Sequence, residues 1–177
     1  ASDWSSDVCS SDLRAAKASG LPITCHTRPA DYHGDRLLDI FEEEGLDLRA
    51  VTIGHTNDST DMDYVLRIAK RGATVGLDRF SPRIDAAEQE RRARVALTLV
   101  EAGYAEQVCL SHDSASYSIN GGPPSGGVRP ENPRAFCLVS EVQIPWLKAH
   151  GVTDDQVDAM LVRSIRTTFE AAAAMKK

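Results

Sequence analysis

The sequence predicts an α/β fold in which four parallel strands alternate with helices, and three observations predict it. Glycines at 20, 45, 72, 103 and 151 each follow a helix-like segment, where a left-handed residue fits just past a helix end. After the first four of them comes a short β-prone run, at 21–26, 48–55, 73–78 and 106–111. Three of those runs end in a side chain that can bind metal or carry a proton, at His26, His55 and His112-Asp113. One helix plus one strand, repeated, builds a parallel sheet.

Each element has its own signal. Residues 1–13 are rich in Ser and Asp and show no helical or strand period. The run from Asp3 to Leu13 resembles an in-frame translation of a common sequencing adaptor, so residues 1–13 are expected to be a leader foreign to a domain at 14–177. A helix at 35–44 places Leu37, Leu38, Ile40 and Phe41 on one face, and one at 62–71 does the same with Val65, Leu66, Ile68 and Ala69. The stretch 114–133 is so dense in Gly and Pro that it reads as a loop, placed where a substrate cover would lie. A helix follows at 134–150, and Thr153-Asp154-Asp155-Gln156 has capping-box spacing before another. The Ala-rich end, 170–177, is expected to fray.

Length and charge narrow the classes. A chain of 177 residues with 42% apolar content suits one globular domain. A net charge of -6 supplies no basic face for a phosphate backbone, so nucleic acid is not an expected partner. No apolar run approaches the roughly 18 residues of a membrane span. Cys25 and Cys109 lie in expected strands and Cys137 in an expected helix, with no Cys-x-x-Cys pair, which reads as reduced, buried thiols and a cytoplasmic location.

A histidine at a strand end suits a metal because the strand fixes the direction of the imidazole. Singly, His26 or His55 reads as a hydrogen-bonded loop residue. Together, at ends about 5 Å apart on neighbouring strands, they can share an ion. Asp113 reads alone as a turn or cap residue, and beside a cation as a ligand that also accepts a proton from water. His112, one residue earlier, should point to the opposite face. Arg79 reads equally as a surface ion pair or as a functional group.

Taken together, Pro22-Ile23-Thr24-Cys25-His26-Thr27, Ile53-Gly54-His55-Thr56-Asn57-Asp58, Val75-Gly76-Leu77-Asp78-Arg79-Phe80 and Leu110-Ser111-His112-Asp113 resemble successive strand ends of the phosphotriesterase family. That family includes the phosphotriesterase-like lactonases and belongs to the amidohydrolase superfamily. The resemblance implies the C-terminal half of a (β/α)8 TIM barrel. It also implies a divalent-metal hydrolase, with two zinc ions in the complete enzyme, acting on a small-molecule ester, lactone or phosphotriester. By it, His26 and His55 are metal ligands, Asp113 is a ligand and proton shuttle, and Arg79 faces the substrate. The family's His-x-His pair on strand one and its bridging carboxylated lysine on strand four have no counterpart here, so the chain alone is expected to be inactive. A homodimer is a state allowed for the complete protein. The usual Asn-Pro near the end is replaced by Arg163-Ser164-Ile165-Arg166, which leaves the terminal helix open. Two other readings stand beside this one: a TatD-like metal-dependent deoxyribonuclease, and a non-catalytic α/β binding module with structural histidines.

Overall fold

The computed structural model describes residues 4–81, 84–114 and 136–176, without the side chains of 4–10. Its order is helix α1 (Trp4–Ser19), strand β1 (Ile23–Cys25), α2 (His33–Glu43), β2 (Val51–Ile53), α3 (Met62–Lys70), β3 (Thr74–Leu77), α4 (Ala86–Glu101), β4 (Val108–Leu110), α5 (Ile144–Ala149), α6 (Asp154–Asp158) and α7 (Ser164–Met175). The strands form one parallel sheet in the order β1-β2-β3-β4, with Ile23 opposite Val51, Thr52 opposite Thr74 and Val75 opposite Val108. Consecutive parallel strands joined through helices are the expected partial barrel.

The strands are shorter than their β-prone runs. Residues 48–50 and 105–107 close as 3-10 turns before β2 and β4, and the residues after each strand turn into the site. The five punctuating glycines all take positive φ, between 67° and 95°.

The core lies between the sheet and the helices. Leu38 and Phe41 of α2 and Val65, Ile68 and Ala69 of α3 are buried, on the faces that the apolar spacing marked. Ile53 faces these helices: a methyl on Gly34 would meet its Cγ2 at 3.0 Å and Ile68 Cδ1 at 3.1 Å. Each fully buried aliphatic side chain contributes about 1.5–3 kcal/mol. The opposite face of the sheet carries the alternate residues, Thr24, Thr52 and Thr74, paired in one row. Thr74 Oγ1 lies 2.9 Å from Thr168 Oγ1 on α7.

Several expectations need correction. Residues from Trp4 on, which show no helical period in the sequence, form a regular helix that runs through Leu13 to Ser19, and Leu13 is buried in the core. The helix expected at 134–150 is, in its described part, a turn at Phe136 and Cys137, then a π-helical segment (Val139–Gln143) leading into α5. Cys137 therefore sits in a turn. Cys25, Cys109 and Cys137 are unbridged and part-buried rather than buried. The capping box at Thr153 forms in full, with Gln156 N–H donating to Thr153 Oγ1 and Thr153 N–H to Gln156 Oε1. The end does not fray: α7 runs to Met175, and Ala171 and Ala172 are buried against Ala50. With no proline at 164 to interrupt it, the helix runs on from a second π-helical segment (Ala159–Arg163). The loop expected at 114–133 falls, from 115 on, outside the described residues. No helix among the described residues is long and apolar enough to cross a membrane.

Candidate metal and substrate site

The site gathers at the carboxyl ends of the four strands. Beyond β1 and β2 the pairing continues through Gly54 N–H to Cys25 O (2.8 Å) and Thr27 Oγ1–H to Gly54 O (2.7 Å), which fixes the start of the loop after each strand. His26 continues the alternation of Thr24 and faces the same side. His55 would by alternation follow Ile53 toward the helices. A left-handed backbone, φ 63°, turns it instead toward His26.

The two imidazoles meet edge to face, with His55 Nε2 2.8 Å from His26 Nδ1 and ring centroids 4.4 Å apart. Behind His55, Asp78 Oδ1 accepts its backbone N–H at 2.9 Å and lies 2.8 Å from Nδ1. A carboxylate can only accept, so the Asp78 contact favours a proton on Nδ1, the tautomer that turns the Nε2 lone pair to the His26 side. The carboxylate behind a ligating histidine fixes tautomer and ring orientation in this way. Burial pushes the Asp78 carboxyl above the usual carboxylate range, and its bonds from His55 pull the other way.

Arg79 joins this pair to Asp113. Its Nη1 is 3.2 Å from Asp113 Oδ2, its Nε 3.6 Å from Asp58 Oδ2, and its backbone N–H donates to Asn57 Oδ1 at 3.3 Å. Its Nε is also 3.0 Å from His55 Nδ1. Arg79 Nε donates to His55 Nδ1 in the tautomer whose proton is on Nε2; with the proton on Nδ1 toward Asp78, the guanidinium is left to the carboxylates. Asp113 has φ 48°, a second left-handed residue. Asn57 is fully buried, and its Nδ2 has no hydrogen-bond partner among the described residues.

The structure thus brings His26, His55, Arg79 and Asp113 into one connected cluster. It does not bring three ligands onto one point, for no group of three His, Cys, Asp or Glu among the described residues is placed to hold a metal. The two facing imidazole nitrogens are in hydrogen-bond contact and would part by a few tenths of an ångström to share an ion, and Asp113 is engaged by Arg79. His112 takes the other face, where its Nε2 accepts the Val139 N–H at 3.0 Å. Burial pushes the Cys109 thiol up to about 11, so it is protonated at neutral pH and is no nucleophile. Asp58, Asn57 and Asp78 were within the strand-end strings without an assigned role. The signal for Asp78 was its place at the end of β3, equivalent to that of His55 beyond β2.

A sequence model of the phosphotriesterase family matches residues 3–169. The chain is 37% identical over 157 residues to a phosphotriesterase homology protein of Mycobacterium tuberculosis, covering 89% of this chain and 48% of that protein. It is 31% identical over 157 residues to an aryldialkylphosphatase of Saccharolobus solfataricus, covering 88% of this chain and 49% of that one. The solved structure of the phosphotriesterase from Mycobacterium tuberculosis superposes with a TM-score of 0.70 at 34% identity, over 90% of this chain and 50% of that one. The chain spans about half the length of the relatives it matches.

Proposed function

Since the chain belongs to the phosphotriesterase family, we propose that it is the C-terminal part of a metal-dependent hydrolase that cleaves an ester, lactone or phosphotriester. The observation that carries this reading is the approach of His26 Nδ1 to His55 Nε2 at 2.8 Å, with Asp78 orienting His55 from behind. His26 and His55 would hold a divalent metal, zinc by the family resemblance, with further ligands supplied from residues outside this chain. When bound, the metal supplies Lewis acidity and lowers the pKa of water. Asp113 accepts the proton that the attacking water gives up. Arg79, paired with Asp113 and Asp58, presents a fixed cation to the electron-rich oxygens of the substrate. The name of the Saccharolobus relative favours the phosphotriester within this substrate class.

Zinc titration of the purified chain tests the site directly. Binding is expected to be weak and to vanish in His26→Ala and in His55→Ala. Asp78→Ala, which leaves both ligands in place, should cost about 10-fold or more in affinity, as loss of an outer-shell partner does. Zinc affinity indifferent to all three changes would leave the binding-module reading, with structural histidines, as the better one.

A further inference from the structure

Helix α4 carries no residue that the sequence pattern singled out, yet its first turns reach both loops of the site. The Arg92 side chain is only 12% exposed and is engaged three ways: Nη2 lies 2.8 Å from Asp58 Oδ1, Nε donates to Glu88 Oε1 at 2.7 Å, and Nη1 donates to the carbonyl oxygen of Arg79. Its neighbour Arg91 donates Nη1 to Ser59 O and Nη2 to Asn57 O, both at 3.0 Å. Glu88 ties the two arginines together, accepting from Arg91 Nη2 at 2.6 Å as well as from Arg92.

The bland reading is a helix surface laced with ion pairs at i, i+3 and i, i+4, worth a few tenths of a kcal/mol each. Two features separate this cluster from that reading. The arginines grip backbone carbonyls of other loops, and two of the three contacts of Arg92 bear on Arg79: one on its backbone carbonyl, the other on Asp58, whose carboxylate lies 3.6 Å from Arg79 Nε.

We propose that Arg92 is a positioning residue, which holds Arg79 against Asp113 by anchoring the Arg79 backbone and the Asp58 carboxylate at once. Lysine cannot replace it, because one ammonium lacks the rigid fork that reaches Asp58, Glu88 and the Arg79 carbonyl together. The relevance to substrate rests on the reading of Arg79 given above.

The test is hydrogen exchange of the Arg79 guanidinium Nη–H groups, which face Asp113, followed by NMR on the chain itself. In Arg92→Met that exchange should be roughly tenfold faster, the change expected from losing one charged hydrogen bond. The amides of Val51 and Val108 in the sheet should exchange as before. Arg92→Lys should restore protection only in part. Glu88→Gln, which loosens the pair of arginines without removing either, should shift Arg79 in the same direction and serves if Arg92→Met does not fold. Unchanged Arg79 exchange in these variants overturns the proposal, as does an increase shared equally by the sheet amides, which marks a merely structural role. Neither metal nor substrate enters this readout. A chain that binds no zinc therefore leaves the inference standing, and an unmoved Arg79 leaves the metal reading untouched.

Discussion

His55 and Asp113 both hold positive φ, at 63° and 48°, a conformation that costs a residue with a Cβ roughly 1–2 kcal/mol. Asparagine tolerates it, so Asp113→Asn separates charge from backbone. Its melting temperature should stay within a few degrees of the parent chain's, while turnover of the complete enzyme falls by about 100-fold or more. Full turnover would end the proton-shuttle role. Gly76 is constrained differently: a Cβ there would sit 2.9 Å from Gly54 Cα and 2.9 Å from Ile53 O. Both are backbone atoms that cannot swing aside. Gly76→Ala should destabilise by about 1–3 kcal/mol, as overpacking does, and a denaturant midpoint equal to the parent's would contradict the close approach. At this scale the candidate residues His26, His55 and Asp113 were marked in the sequence by their places at strand ends. Arg92 stayed hidden because it sits among Arg91, Arg94 and Glu90, a pattern that reads as a solvated helix face.

The helices differ in how much of their role the pattern revealed. α2 and α3 were legible because their apolar residues recur at helical spacing. α1 was not, since from residue 11 onward only Leu13 and Ala16 of it are buried, too few to set a period. The end of α7 was missed because alanines read as a fraying tail, whereas here their smallness lets α7 approach Ala50. At the start of α6, Thr153→Ala should cost about 1 kcal/mol, the usual worth of an N-cap. In α4, the bonds from Arg91 and Arg92 hold the Glu88 carboxyl down to about 2 from an ordinary 4.5. A depressed folded pKa contributes stability that is present above the unfolded value and lost as pH falls through the folded one. The difference in denaturant midpoint between the parent chain and Glu88→Gln should therefore be largest above pH 4.5 and shrink toward pH 2. A difference that grows on acidification would contradict the assigned pairing.

For the whole molecule, strand order and parallel direction were legible in the helix–strand alternation, because a short connection through one helix leaves adjacent parallel pairing as the simplest closure. The site's completeness was not, since it depends on where side chains from separate loops meet. Among the described residues β1 pairs only with β2, and Thr24 in it is exposed. An unpaired edge of this kind templates further pairing. The apparent mass by light scattering should rise with concentration, and Thr24→Lys, a charge on the edge, should reduce that rise. A mass independent of concentration in both chains would show the edge to be protected.

The two left-handed residues of the site, His55 and Asp113, carry a consequence for any laboratory evolution of this protein. Glycine at 55 or 113 relieves the backbone while deleting the proposed ligand or the proposed proton acceptor, so on that reading heat challenge and catalytic demand pull these codons in opposite directions. Libraries sorted for survival on heating alone should drift toward glycine at both positions, and the hardiest survivors should be inert. Alternating rounds of thermal and metal-binding selection would hold His55 and Asp113 in place and steer the gains in stability into the helices instead.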